Sequence, residues 1–176
     1  MKRVAMLALV LMFAVSCDDS PTSPSDPNIA MFTAILLPTN EVPVIVGADA
    51  AASGTMQLKM TVTRDAANTI TGATYDFTIH MTGFPADTTL TGAHIHNGPA
   101  GVNFPVVVGV PLTATDVAVP TGQATITKTG LSSTSSTVSA AQVAQGIFNN
   151  PAGNYFNVHT SRNTGGAIRG QLVRSN

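Results

Sequence analysis

The chain has 176 residues, eight Lys plus Arg against nine Asp plus Glu, and a formal net charge of −1. That length suits one domain, and the charge offers no basic stripe of the kind nucleic-acid binding requires. Charged residues make up 10%, Glu41 is the only glutamate, and Thr, Val, Ala and Gly dominate, a composition that favours strands and turns over helices.

The chain opens with "MKR", a positive n-region, followed by the apolar run "VAMLALVLMFAV". That run has the length of a signal h-region and is short for a membrane span. "AVSC" then sets small residues before Cys17, the chain's single cysteine, and resembles a bacterial lipobox with Ala14 where Leu is usual. Ala14 and Ser16 also suit ordinary signal cleavage at the same bond. Residues 1–16 are therefore expected to be a signal peptide and Cys17 a lipid-attachment site. This would place the protein in the exported class, anchored to a membrane on the periplasmic or outer cell surface. A lone cysteine in an exported protein is otherwise an unpaired thiol. Residues 17–29, with "DDSPTSPSDPN", read as a Pro- and Ser-rich tether reaching about 3.1 Å per residue. No cysteine follows, so the domain has to be held by its core and not by disulfides.

From Ile29 onward the dominant period is two. In "TMQLKMTVT" (55–63), Met56, Leu58, Met60 and Val62 alternate with polar residues. In "TYDFTIHMT" (74–82), Tyr75, Phe77, Ile79 and Met81 do the same. Strand side chains alternate between faces, so each run covers a core with one face. "RDAANTITG" between them supplies hairpin turn residues. Further strands are predicted at 30–37, 91–97, 104–110, 122–128, 154–160 and 167–174. About eight short strands imply an all-β fold, an antiparallel β-sandwich or flattened barrel. One short helix is expected near 139–149. Ser139 and Gln142 form a capping box, Val143 and Ile147 share a face, and Pro151 stops it. It should bridge sheet edges or cap one end of the sandwich.

Four stretches then occur in order: "FTAILLPTNEVP" (32–43), "GAHIHNGPAG" with "PVVV" (92–108), "LSSTSSTVSAAQVAQGIFNNPAGNYFNVHT" (131–160) and "NTGGAIRGQL" (163–172). Together they resemble the CHRD (chordin-type) domain, over residues 30–174. Phe104 stands where that family often has Gly, and 111–138 is less family-like. The resemblance implies a secreted β-rich domain without an established catalytic activity in bacterial members. It gives no ground for growth-factor binding, because no cysteine-rich module is present.

His94 and His96 are the residues that raise a question of chemistry. On a strand they point to the same face, about 6.5–7 Å apart at Cα. His159 shares the outer phase of its own strand with Tyr155 and Asn157, opposite Phe156 and Val158. If the two strands are neighbours, three imidazoles converge, a donor set suited to copper or zinc. The alternative is structural: the same rings can bond backbone carbonyls and pin the reversal after His96, with Asn97 and Gly98 supplying the turn. The H-x-H pair, His159 and Arg169 of "GGAIRG" also resemble the copper side of copper–zinc superoxide dismutases. No dismutase-like zinc loop, disulfide or bridging histidine accompanies them. Arg169 is a candidate to support the site or to make a structural bond. Asp76 and Asp87 are the nearest carboxylates by sequence, and His80, between Thr78 and Thr82, reads as a solvated surface histidine. "NGPAG" (97–101) echoes "NNPAG" (149–153), which implies similar turns beside both histidine strands.

No G-x-S-x-G, P-loop or C-x-x-C is present, and the aspartates sit in no recognisable glycosidase frame. The sequence thus favours a non-enzymatic binding or structural module of the cell envelope, facing an envelope or extracellular partner. The second reading is a copper- or zinc-binding envelope protein with a dismutase-like activity to be tested.

Overall fold

The computed structural model describes residues 26–176. The expected signal segment 1–16, the expected lipid-attachment residue Cys17 and the expected tether as far as residue 25 lie outside the described residues. The strands are β1 (Ile29–Leu36), β2 (Ser53–Arg64), β3 (Ile70–Thr82), β4 (Thr88–Asn97), β5 (Val106–Gly109), β6 (Ala118–Val119), β7 (Ala124–Leu131), β8 (Asn154–Thr160), β9 (Ile168–Gln171) and β10 (Val173–Arg174). The helices are α1 (Ala114–Val117) and α2 (Ala140–Asn149).

Two antiparallel sheets form a β-sandwich. The first runs β10-β1-β2-β3-β7; the second runs β5-β4-β8-β9, with β6 also pairing to β4. Alternation explains the first sheet directly. Met56, Leu58, Met60 and Val62 of β2 and Tyr75, Phe77, Ile79 and Met81 of β3 all point inward and are buried. They meet Ala93, Ile95, Phe156, Val158 and Ile168 from the second sheet in one core. Phe77 and Phe156 touch across the layers with ring centroids 5.8 Å apart. Each such side chain stabilises the fold by about 1.5–3 kcal/mol when fully buried.

The eight expected strands are found with shifted ends, and two differences have physical causes. The segment predicted as one strand at 167–174 is two, because the chain changes sheets at the fully buried Leu172: β9 pairs with β8, and β10 pairs with β1. The sheets are also laced together earlier. Leu37 and Arg169 exchange backbone hydrogen bonds of 3.0 and 3.1 Å, joining the end of β1 to β9. Gly170 is required there, since a Cβ at that position would lie 2.1 Å from the Ile35 carbonyl oxygen. The second difference is β6, a two-residue strand with too few side chains to show a period.

Helix α2 begins at the expected capping box: Ser139 Oγ accepts the Gln142 amide, and Gln142 Oε1 accepts the Ser139 amide. Its Val143, Ala144 and Ile147 are buried, and Gln145 donates to the Ile70 carbonyl at the start of β3, so the helix closes one end of the sandwich.

Candidate metal centre

The second sheet carries its polar residues on the face turned away from the core. Register places His94 opposite Asn157, His96 opposite Tyr155 and Gly92 opposite His159 on β4 and β8. Asn157 in turn faces Arg169, and Tyr155 faces Gln171, on β9. Period two therefore gathers all of these side chains on one surface. That surface is not solvated, because segments on either side of the sequence fold over it. The β4–β5 loop, 98–105, is drawn down by Arg169, whose guanidinium donates to the carbonyls of Pro99 and Val102 and to Asn103 Oδ1. Gln171 reaches the Gly98 carbonyl, and the Phe104 amide donates to the Tyr155 hydroxyl. The irregular segment after β1 joins this roof where Asn103 Nδ2 donates to the Val42 carbonyl.

Under the roof the three expected histidines meet. One nitrogen from each of His94, His96 and His159 lies within 4.8 Å of the other two. His94 Nδ1 is 3.2 Å from His159 Nε2. Neighbouring donors around a tetrahedral zinc stand about 3.3 Å apart for bonds of about 2.0 Å. His96 is buried, while His94 and His159 are half-buried. Gly92 makes the packing of β4 against the rings feasible: a Cβ there would come within 2.7 Å of His94 Cε1.

The other nitrogens fix the tautomers. His96 Nδ1 donates to the Phe104 carbonyl at 2.6 Å, and His159 Nδ1 donates to the Thr164 carbonyl at 2.8 Å. A carbonyl only accepts, so the proton of each neutral ring sits at Nδ1 and its lone pair at Nε2. The carbonyl bonds thus use one edge of the His96 and His159 rings and leave the opposite edge, with Nε2, facing the cluster. The turn holding Thr164 is anchored by the fully buried Asp49, which accepts from Thr160 Oγ1, the Arg162 guanidinium and Asn163 Nδ2. Burial pushes the Asp49 pKa up, but those bonds outweigh it and hold it below the ordinary value.

A row of flat groups stiffens the site. Tyr155 stacks parallel on His96, with centroids 4.6 Å apart and planes 3° apart. The Arg169 guanidinium lies 3.3 Å from the Tyr155 centroid. Burial lowers the His94 pKa to about 4, reinforced by repulsion from His159 and His96. His96 is also lowered, again chiefly by burial, against its bond to the Phe104 carbonyl. Both shifts favour the neutral forms of His94 and His96, and neutral imidazole is the form that binds metals.

Arg169 is placed at the site, with its guanidinium bonded to the roofing loop and stacked on Tyr155. Neither carboxylate suggested by sequence proximity is there. Asp76 lies on the first sheet, where Oδ1 accepts the Gly130 amide, and Asp87 occupies the turn before β4. The nearby carboxylate is Glu41, 4% exposed, with Oε1 buried and unpartnered. Burial raises its pKa to about 7, opposed by Arg169, the Val42 amide and the Asn157 side chain. Its signal in the sequence was its uniqueness as the sole glutamate. Asn157 and Tyr155 were placed on the right face by alternation but given no role. His80 lies exposed on the other sheet, bonded to Thr125 Oγ1. The echo of "NGPAG" and "NNPAG" does not give similar turns: 151–153 is a 3-10 turn, whereas Asn97 ends β4 and the chain turns at 100–101 with a positive φ at Gly101. Gly98 serves instead as the bed for Phe104, and Asn97 bonds Asn154.

No curated protein and no solved structure matches the chain. A family model does, covering residues 32–172, from the middle of β1 to the sheet crossing at Leu172. The span takes in the three histidines, Arg169, Glu41 and the loops that roof them, and by this match the chain belongs to the CHRD domain family.

Proposed function

We propose that this protein is an exported, lipid-anchored member of the family that acts as a non-enzymatic binding module of the cell envelope. Its domain binds a single copper or zinc ion through His94, His96 and His159. The observation that carries the metal assignment is the convergence of three imidazole nitrogens within 4.8 Å. His96 and His159 are already oriented by carbonyl bonds on their far edges. Such bonds fix ring orientation and raise ligand basicity. Lipid anchoring at Cys17 rests on the "AVSC" boundary and the polar tether after it.

A role in binding, and not in turnover, is supported by Arg169. In a dismutase-like centre a free guanidinium would guide an anion to the metal; here it is 1% exposed and engaged by loop carbonyls. Elemental analysis of the purified protein and calorimetric titration with Cu(II) and Zn(II) test the metal. One equivalent is expected, lost in the His94→Ala/His96→Ala double variant. Equal binding by that variant overturns the assignment. A superoxide dismutation assay on copper-loaded protein tests the enzymatic alternative, with no activity above that of free copper expected. For the anchor, Cys17→Ala should move the protein from the membrane fraction to the soluble exported fraction.

A further inference from the structure

Zinc and copper commonly take at least four donors, and three histidines supply three. Asn157 lies between them on β8 and is 2% exposed. Its Oδ1 is 3.0 Å from His96 Nε2 and 3.1 Å from His159 Nε2. In the neutral rings both of those nitrogens present lone pairs, because their protons are at Nδ1 on the Phe104 and Thr164 carbonyls. An amide oxygen carries no hydrogen either. Three acceptors therefore meet at hydrogen-bond distance with no hydrogen among them, an arrangement that a cation at their centre makes favourable.

We infer that Asn157 Oδ1 is a fourth donor to the ion, completing a set of three imidazole nitrogens and one amide oxygen. This rests on the metal assignment proposed above. The spacing supports it: 3.0, 3.1 and 3.2 Å separate the successive atoms His96 Nε2, Asn157 Oδ1, His159 Nε2 and His94 Nδ1. These are near the distance of about 3.3 Å between donors on a tetrahedral ion. Imidazole and amide-oxygen donors without sulfur select Zn(II) and Cu(II) over Cu(I).

The test compares unaltered protein with Asn157→Ala and Asn157→Asp. Zinc affinity should fall by about ten-fold or more in Asn157→Ala and be restored in Asn157→Asp, which keeps an oxygen donor. The Cu(II) spectrum of Asn157→Ala should shift, and added azide should bind there but not in the unaltered protein. If Asn157→Ala fails to fold, NMR of the unaltered protein decides. One equivalent of Zn(II) must displace the Asn157 side-chain NH2 resonances, and resonances that stay in place overturn the inference. Unaltered affinity and spectrum in a folded Asn157→Ala also overturn it while leaving the three-histidine centre standing. Failure of the unaltered protein to bind either ion removes the centre itself.

Discussion

The outer faces of the two sheets obey the same alternation and end in opposite environments. On the first, Thr55, Gln57, Lys59, Thr74 and His80 stand exposed. Lys59 and Asp76 pair there across 3.9 Å between partly exposed side chains. On the second, His96, Tyr155, Asn157 and Arg169 occupy equivalent outward positions and are all buried. What differs is chemistry per position. Threonine and lysine are satisfied by water, whereas histidine, asparagine and arginine offer several directed donors and acceptors that a folded loop can meet. A polar face made of such groups recruits its own roof. His80 and His94 show the contrast within one residue type: both are strand histidines facing outward, and only the second finds other imidazoles.

The strongest way to break this contrast is to remove the roof. Arg169→Ala deletes the stack on Tyr155 and the bonds to Pro99, Val102 and Asn103. It should cost about 4 kcal/mol in urea unfolding, because the carbonyls are left buried and unmet. A loss under about 1 kcal/mol would show that the loop needs no such clamp.

Zinc should sharpen the contrast next. At free zinc near one hundred times Kd, the protein should gain about 2.7 kcal/mol of stability, visible as a raised Tm. His80→Ala should keep this gain, and His96→Ala should lose it.

Titration gives a subtler effect in metal-free protein. Glu41 has its pKa raised by burial to about 7, so its contribution is greatest at low pH and declines as pH climbs from about 4.5 to 7. His94 has its pKa lowered by burial to about 4, so its contribution is full above about 6.5 and declines as pH drops toward 4. The two slopes oppose each other between about pH 4.5 and 6.5. Glu41→Gln removes one of them. The variant's stability should rise over that window by more than that of the unaltered protein, by on the order of 2 kcal/mol. Matching slopes in the two proteins would contradict the buried placement of this carboxyl.

The smallest effect belongs to the first sheet. Lys59→Ala should change unfolding free energy by less than about 0.5 kcal/mol, as expected of a solvated pair. A larger loss would mean that this face also contributes beyond its surface chemistry.

The first sheet was the most legible part of the chain, since long runs such as 55–63 and 74–82 show their period without help from the rest. The three clustered histidines were legible as a possibility of geometry: H-x-H fixes two of them to one face, and the phase of Tyr155, Asn157 and His159 fixes the third. Their meeting depends on β4 and β8 being neighbours, which is set by long-range pairing. Glu41 could not be placed, because it sits in irregular chain between two 3-10 turns, where no period operates. The division of 167–174 escaped for a related reason. Leu172 points into the core as a strand residue should, but the second half leaves for the first sheet because it pairs with β1, far off in sequence, while the first half pairs with β8.

β1 is the first strand among the described residues and is not an edge strand: β2 flanks it through eight residue pairs, from Ile29 to Leu36, and β10 covers part of its other side. Tension applied through the residues before Ile29 would pull along this strand and shear those pairs together, not peel them one at a time. Pulled from its leading end, the domain would be held by eight backbone pairs loaded side by side.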